Sequence, residues 1–234
     1  MRGLSLVTIG AVCAVLCVAC FVLAFALMAG SGVQVLIPET GKNGLDWIRD
    51  VDGAGGLFFV GAWLIILGGL FGLVAFFGFF EALRDAGPAM ILAPVLGAVG
   101  FTLVTISHLL PIAIAYELVP DYVRAGGATK AAIGSTFDGF AVASHVLNYT
   151  GDFLIWGVAT PLFAYAVLKT RVVSRWIGWV GVVAAVVGGG LGTLSPASSV
   201  IDNLTFIGFV AFFVFMASMG IALLRRSDAT PAVP

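Results

Sequence analysis

Charged residues are scarce in this chain: they make up 10 % of its 234 residues, against about 25 % in soluble domains. The formal net charge is −1, which argues against a nucleic-acid partner because phosphates are bound by basic surfaces. In place of charge, the sequence has 61 % hydrophobic residues and a mean hydropathy of +1.14. The composition predicts a multi-pass membrane protein with almost nothing left for a soluble domain.

Several catalytic and cofactor motifs are also absent. The sequence has no glycine-rich phosphate loop, no acid-rich prenyl-diphosphate motif and no Gly-x-Ser-x-Gly elbow. No lysine stands centrally in an apolar run, which argues against a retinal Schiff base. No internal repeat is evident, which weakens an inverted-repeat transporter hypothesis. Any site in this protein therefore has to be found from individual residues.

Six apolar segments are long enough to cross a hydrocarbon layer about 30 Å thick. They lie at about 4–29, 56–80, 89–115, 142–168, 176–195 and 203–224. These segments predict an all-α bundle of six transmembrane helices that forms a single domain, residues 1–234. With the N-terminus inside, the inner segments hold seven Lys and Arg residues and the outer segments four. This bias predicts that both termini lie on the inner side.

Two longer segments are predicted as outer loops. Residues 30–55 contain turn-forming Pro and Gly, together with a short interfacial helix at 46–50 that places Trp47 at headgroup level. Residues 116–141 carry five charged side chains. Long structured loops are often functional, so this second loop is expected to cap the outer mouth of a site.

Polar side chains recur on one face of the fourth predicted helix. Together with two aromatic residues they form a stripe of six: His145, Asn148, Tyr149, Asp152, Trp156 and Phe163. The four polar members fall within an arc of roughly 100° at 100° per residue. Polar and ionisable groups cost free energy inside a membrane, so each is a functional-site hypothesis.

Depth along the helices brings further polar residues to the same level. Counted from the inner ends at 1.5 Å per residue, His108, Asn148 and Asn203 each lie roughly 30 Å along their helices. Asp152 lies about one turn below them, and Ser195 reaches a similar height at the end of the fifth segment. The sequence therefore predicts a polar pocket in the outer leaflet.

Acid–base catalysis is the first chemistry that suits such a pocket. Burial in an apolar medium favours the neutral form of a carboxyl group, so Asp152 could hold a proton and donate it to a bound substrate. His108, His145 or Tyr149 could orient this acid or return the proton. The expected substrate is a lipid-soluble isoprenoid or other apolar lipid, cyclised or isomerised by protonation. No cofactor is expected for this chemistry.

The substrate is expected to lie between polar and aromatic side chains, since aromatic faces attract cations. The expected substrate-binding residues come from four of the predicted helices: Phe101, Asn148, Trp156, Phe163, Ser195 and Asn203.

Haem or metal ligation is the alternative chemistry. His108 and His145 are the two histidines of the chain, and paired imidazoles are good ligands for haem b or copper. Cys13, Cys17 and Cys20 share one face of the first helix, but packing of small side chains explains them better than a metal site. A third interpretation is a non-catalytic transport or assembly subunit, which the glycine-rich helices would suit.

The segment at 156–179, with its LKTR turn at 168–171 and its RWIGW restart at 175–179, resembles a bacterial six-helix membrane family that is defined only as a domain of unknown function. The resemblance implies six helices and no particular chemistry; the expected location is the bacterial cytoplasmic membrane. The small size and the acid in an apolar setting are also similar to integral-membrane terpene cyclases, by functional analogy, although those proteins often have seven spans. The expected partners are membrane lipids and a lipid-soluble substrate, and a homo-oligomer is left open.

Overall fold

A computed structural model of the chain describes residues 5–33, 44–192 and 199–229, without the side chains of 44–46, 49, 115, 199–203 and 227–229. Within these ranges the protein is all-α. The six helices are α1 (Leu6–Ser31), α2 (Gly44–Leu83), α3 (Leu92–Arg124), α4 (Gly127–Thr170), α5 (Arg175–Leu191) and α6 (Ser199–Ala229). Two 3₁₀ turns, Arg84–Ala86 and Pro88–Ile91, connect α2 to α3.

Five of the helices in the described ranges are long and apolar enough to cross a membrane. They are α1, α2 from Asp50 onward, α3, α4, and α6 between Leu204 and Arg226. Helix α5 is apolar but shorter. The prediction of an all-α chain with six helices is confirmed within the described ranges, and five helices that could span a membrane are consistent with a multi-pass membrane protein. A sixth span and the sidedness of the two termini stay predictions.

The predicted long loop at 116–141 is wrong. Helix α3 continues to Arg124 and α4 begins at Gly127, so Ala125 and Gly126 alone connect the two helices. The charged residues of this region stand on the surfaces of the two helices. The charged residues therefore indicated exposed or partly exposed positions, but they did not indicate an end of helical structure.

Helix α2 contains a sharp bend at Gly55, whose backbone angles are φ 59° and ψ −147°. Glycine adopts this conformation readily because it has no Cβ. The segment predicted as an interfacial helix at 46–50 is helical and precedes the bend. The ring of Trp47 is buried there, with centroid distances of 5.0 Å to Phe137 and 5.8 Å to Phe58.

Helix α4 changes its geometry part-way along. Residues Phe153–Ala159 are π-helical, and the hydroxyl of Thr160 donates to the carbonyl oxygen of Ile155, five residues back, at 2.8 Å. Pro161 has no N–H to give to the carbonyl of Gly157, which favours the wider turn. In α5, residues Ala184–Leu191 are π-helical as well.

The π-helical segment limits the range of the predicted stripe. The stripe assumes 100° per residue from His145 as far as Phe163. A π-helix closes i→i+5 hydrogen bonds and holds more residues per turn, so the phase changes beyond Asp152. The face drawn at 100° per residue therefore holds as far as Asp152, and its continuation to Trp156 and Phe163 stays a prediction.

Two compact units divide the chain. Unit 1 comprises Met1–Val18, Gly69–Thr102 and Thr150–Pro234, and unit 2 comprises Ala19–Gly68 and Leu103–Tyr149. In unit 2, the helix α1–α2 contact is close: a Cβ on Gly61 would stand 2.8 Å from the Met28 side chain and 3.2 Å from the Ala24 carbonyl oxygen.

Glycines bring helix backbones together within unit 1. A Cβ on Gly10 of α1 would stand 2.5 Å from the Cα of Gly78 in α2. A Cβ on Gly189 of α5 would collide with the backbone of Gly157 in α4. Lipid tails are as apolar as the helices, so such close packing is a main source of helix association in a membrane.

Two basic side chains join helix ends within unit 1. Lys169 Nζ donates to the carbonyl oxygen of Ala86 at 2.7 Å, and Arg226 donates to the carbonyl oxygen of Val172 at 2.7 Å. Each bond satisfies a backbone carbonyl near a helix end, where carbonyl groups have no N–H donor from their own helix.

Candidate functional site

A polar cluster joins α3 and α4 inside unit 2. Ser107 is fully buried, and its Oγ lies 3.1 Å from His108 Nδ1 and 3.3 Å from Asn148 Oδ1. The carbonyl oxygen of Val104 lies 2.7 Å from Ser107 Oγ and 2.6 Å from His108 Nδ1. The predicted residues His108 and Asn148 are thus brought together through Ser107, which is not among the residues predicted from the sequence.

The contact with Val104 fixes where His108 carries its proton. A carbonyl oxygen only accepts hydrogen bonds, so Nδ1 of His108 must be the donor to Val104. In the neutral imidazole this leaves the lone pair on Nε2. Nε2 is therefore the atom of this ring that can take up a proton or bind a metal.

Ser107 has one hydroxyl hydrogen and two acceptors within reach. It can donate to the carbonyl of Val104 in its own helix or to Asn148 Oδ1 in α4. The second choice links the two helices and holds the amide of Asn148 beside the imidazole of His108. His108 already donates to the carbonyl oxygen of Val104. When Ser107 donates to Asn148 Oδ1, both acceptors therefore receive a hydrogen bond.

Ser144 is a second serine of this region that is not among the residues predicted from the sequence. It is fully buried, and its Oγ has no hydrogen-bond partner among the described residues. It precedes Asn148 by one helical turn, so the two side chains stand on adjacent turns of one face of α4. The signal was present in the sequence as two polar residues at i and i+4 in an apolar run.

Pro111 leaves one backbone carbonyl of α3 without its helical hydrogen bond at this level. It lies inside the helix and has no N–H to donate to the carbonyl of Ser107, four residues earlier. That carbonyl therefore lacks its regular helical donor. In a membrane the backbone groups released by a proline have to be satisfied by neighbouring groups.

His145 has surroundings unlike those of His108. Its ring stacks on Tyr149, with centroids 6.0 Å apart and an interplanar angle of 18°. His145 is half-buried, and 42 % of the Tyr149 side chain is exposed. The two predicted catalytic residues of this turn thus form a stacked pair on the flank of α4.

Asp152 and Trp156 belong to unit 1. Asp152 is half-buried and is the last residue of regular α-helix before the π-helical segment of α4. Trp156 lies in that segment, with ring centroids 5.7 Å from Phe209 and 5.9 Å from Phe212. The assignment of Asp152 as the acid stays a prediction.

Phe101 and Phe163 lie in the aromatic core of unit 1. Both are buried, and both contact Phe76 edge-to-face, with centroid distances of 5.1 Å and 4.9 Å. Phe79 extends the group, 5.9 Å from Phe163. Edge-to-face packing of this kind stabilises a core, which is a sufficient reason for these rings to be there.

The side chains of the remaining two predicted site residues are not described by the structure. Ser195 lies outside the described residues, and Asn203 is in α6 with a side chain that is not described. Among the described residues, no group of three or more His, Cys, Asp or Glu side chains is placed to hold a metal ion.

The helices around the α3–α4 cluster carry little charge. The unit 2 segments at 19–31, 56–68, 103–116 and 139–149 contain no Asp, Glu, Lys or Arg. Apart from the two histidines, the titratable groups in these segments are Cys20, Tyr116 and Tyr149. The chemistry available there is proton exchange by imidazole, together with hydrogen bonding by neutral groups.

Comparison with protein-family models, with curated proteins and with solved structures gives no match.

Proposed function

We propose that this chain is a membrane-embedded enzyme that moves a proton on an apolar, lipid-soluble substrate, with His108 as the proton-carrying side chain. The bond of 2.6 Å between His108 Nδ1 and the Val104 carbonyl is the observation that supports this proposal most directly. It holds the ring and directs the basic nitrogen, Nε2, away from its own helix backbone.

The proton balance needs no further reagent. Nε2 takes a proton from one atom of the substrate, and the resulting imidazolium keeps its Nδ1–H on the Val104 carbonyl, which stabilises the positive charge. The proton on Nε2 exchanges with solvent, and the imidazolium then delivers a proton to a different atom of the substrate, so that deuterium from D₂O enters the product. The outcome is an isomerisation with unchanged mass. Ser107 and Asn148 act as positioning residues in this scheme, because they contact the ring or its partner.

The apolar setting suits the substrate class. The exposed residues of both helices at the level of the cluster include four aliphatic ones: Ile106, Leu109, Val142 and Val146. A lipid-soluble molecule can approach such a surface from the bilayer without crossing water. Interactions with a developing charge are also stronger where water is excluded.

Replacing His108 with asparagine is expected to lower turnover about 100-fold or more, the usual scale for loss of a general acid–base group. The Asn amide can stand where Nδ1 stood and still donate to Val104, whereas it has no counterpart of the basic Nε2. His108→Gln is the complementary variant, since it reaches the Nε2 position without the donor to Val104. Membranes from cells with and without the gene are incubated in D₂O, and extracted lipids are compared by chromatography and mass spectrometry.

Wild-type protein should yield a lipid of shifted retention that carries one deuterium on carbon, and both His108 variants should not. A well-folded His108→Asn protein with undiminished deuterium incorporation would overturn the proposal. The same measurement on Asp152→Asn tests the acid predicted from the sequence: loss of incorporation there assigns Asp152 a part in the proton transfer.

Haem ligation is the second candidate, because metal-binding histidines usually donate their other ring N–H to a backbone carbonyl or carboxylate. His108 makes that kind of bond to Val104. This function predicts a Soret band in the purified protein that His108→Asn removes. A colourless preparation that still incorporates deuterium would rule it out.

A further inference from the structure

Ser144 has a buried hydroxyl that its own helix does not satisfy. A serine in an apolar helix commonly bonds a carbonyl three or four residues back, as Ser107 does with Val104. Ser144 Oγ makes no such bond and finds no partner among the described residues. An unsatisfied buried hydroxyl lowers stability, which is a cost that a bound ligand can remove.

The register of the α3–α4 hairpin places an acceptor near this hydroxyl. The two helices are joined by two residues and touch where Ser107 meets Asn148, so they run antiparallel. One turn closer to the connection, α4 carries Ser144 and α3 carries Pro111. The carbonyl of Ser107, which Pro111 deprives of its regular donor, lies in the turn between. A donor and an acceptor without regular helical partners thus stand at neighbouring levels of one helix pair.

The electrostatics restrict what can bind there. None of the four unit 2 segments around this level contains a Lys or Arg to neutralise a phosphate, or an Asp or Glu to neutralise an ammonium group. A charged headgroup would enter without a counter-charge, which is expensive in an apolar interior. A hydroxyl group is neutral, and it both donates and accepts a hydrogen bond.

We infer that this level of unit 2, built from Ser144 with Asn148 and the Ser107 carbonyl, binds the hydroxyl end of a neutral lipid alcohol. The inference rests on the proposed function, because it identifies that lipid as the substrate class on which His108 acts. Ser144 donates to the alcohol oxygen, and the alcohol hydrogen goes to the carbonyl of Ser107 or to Asn148.

Thermal unfolding of the purified full-length protein in detergent micelles tests this binding. The probes are farnesol, the hydrocarbon farnesene and farnesyl diphosphate, which share a chain and differ in the polar end. Farnesol is expected to raise the Tm of the wild type in a concentration-dependent manner, whereas farnesene and the diphosphate are not. A diphosphate shift equal to or above that of farnesol would overturn the inference.

Ser144→Ala gives two opposite effects that a merely structural serine would not give. Without ligand its Tm should rise, by about 2–4 °C, because the unsatisfied hydroxyl is gone. The shift caused by farnesol should disappear. Ser135→Ala is the matched control, since Ser135 is exposed on the same helix; it should leave both values as in the wild type.

The outcomes separate the binding inference from the catalytic proposal. If farnesol raises the Tm of Ser144→Ala as much as that of the wild type, the alcohol does not bind this hydroxyl and the inference fails. This conclusion does not depend on the effect of His108→Asn on deuterium incorporation. If Ser144→Ala loses the shift while His108→Asn keeps wild-type incorporation, the binding site stands and the catalytic proposal fails.

Discussion

Replacing Gly189 with alanine is expected to lower the free energy of unfolding by about 3 kcal/mol, the upper range for overpacking by one methyl group. Gly189 lies in the π-helical segment of α5, directly against Gly157 in the π-helical segment of α4. The atoms that a new Cβ would meet belong to the main chain of Trp156 and Gly157. Main-chain atoms cannot rotate away as a side chain can, so the two helices must separate and lose contacts along their interface.

Gly190→Ala is the matched control for this variant. A Cβ on Gly190 would have the carbonyl oxygen of Ala185 at 3.9 Å, an ordinary contact. Its effect should stay within about 0.5 kcal/mol, as for other substitutions that meet no obstacle. Unfolding is followed by circular dichroism during titration of mixed micelles with a denaturing detergent. Equal losses in the two variants would mean that the contact with Gly157 does not set the effect, since helix propensity by itself favours alanine over glycine at both positions.

Phe163→Ala is expected to lower the free energy of unfolding by about 3–5 kcal/mol, the usual cost of deleting a buried ring. Phe163 is fully buried and contacts the rings of Phe76 and Phe79 edge-to-face. Truncation removes both contacts and leaves a cavity that neighbouring aromatic rings cannot fill by collapsing. The expectation from the sequence was different: a ring that lines a substrate pocket.

Phe206→Ala provides the comparison, because 65 % of the Phe206 side chain is exposed. The same denaturant titration should show little change for it. If Phe163→Ala were nearly as stable as the wild type but no longer incorporated deuterium into lipid, Phe163 would belong to a substrate pocket and not to the core.

Hydropathy was sufficient to predict the secondary structure of most of this chain. Apolar runs of the length of α1, α3 and α6 have few alternatives in a bilayer, since every backbone group must be bonded within the segment. The same argument failed at 116–141, because a helix that leaves the hydrocarbon layer does not have to end. The charged residues of this segment indicate exposed or partly exposed positions, while the tight connection at 125–126 depends on how the two helices pack.

The candidate site on α3 and α4 was predictable in part, because the sequence indicated His108 and Asn148 but not the two serines. His108 and Asn148 stand out in a sequence because histidine and asparagine are rare in membrane helices. Ser107 and Ser144 do not, because small serines are common at helix contacts. Their importance comes from the bond between Ser107 and Asn148 and from the lack of one at Ser144. Both depend on how the two helices pack, and the pattern of residues along the sequence does not show that packing.

The π-helical segment at Phe153–Ala159 has a consequence for how α4 tolerates changes in length. A π turn holds one residue more than the α turn it replaces, so it is equivalent to a single-residue insertion that the helix has absorbed without breaking. Removing one residue from this segment would let the helix close with regular i→i+4 bonds. Everything from Thr160 onward would then keep nearly the same orientation and height, because a turn closed by an i→i+4 bond and a turn closed by an i→i+5 bond cover about the same rotation and rise. The length of the hydrophobic run and the direction in which its two ends face are therefore set independently in this helix.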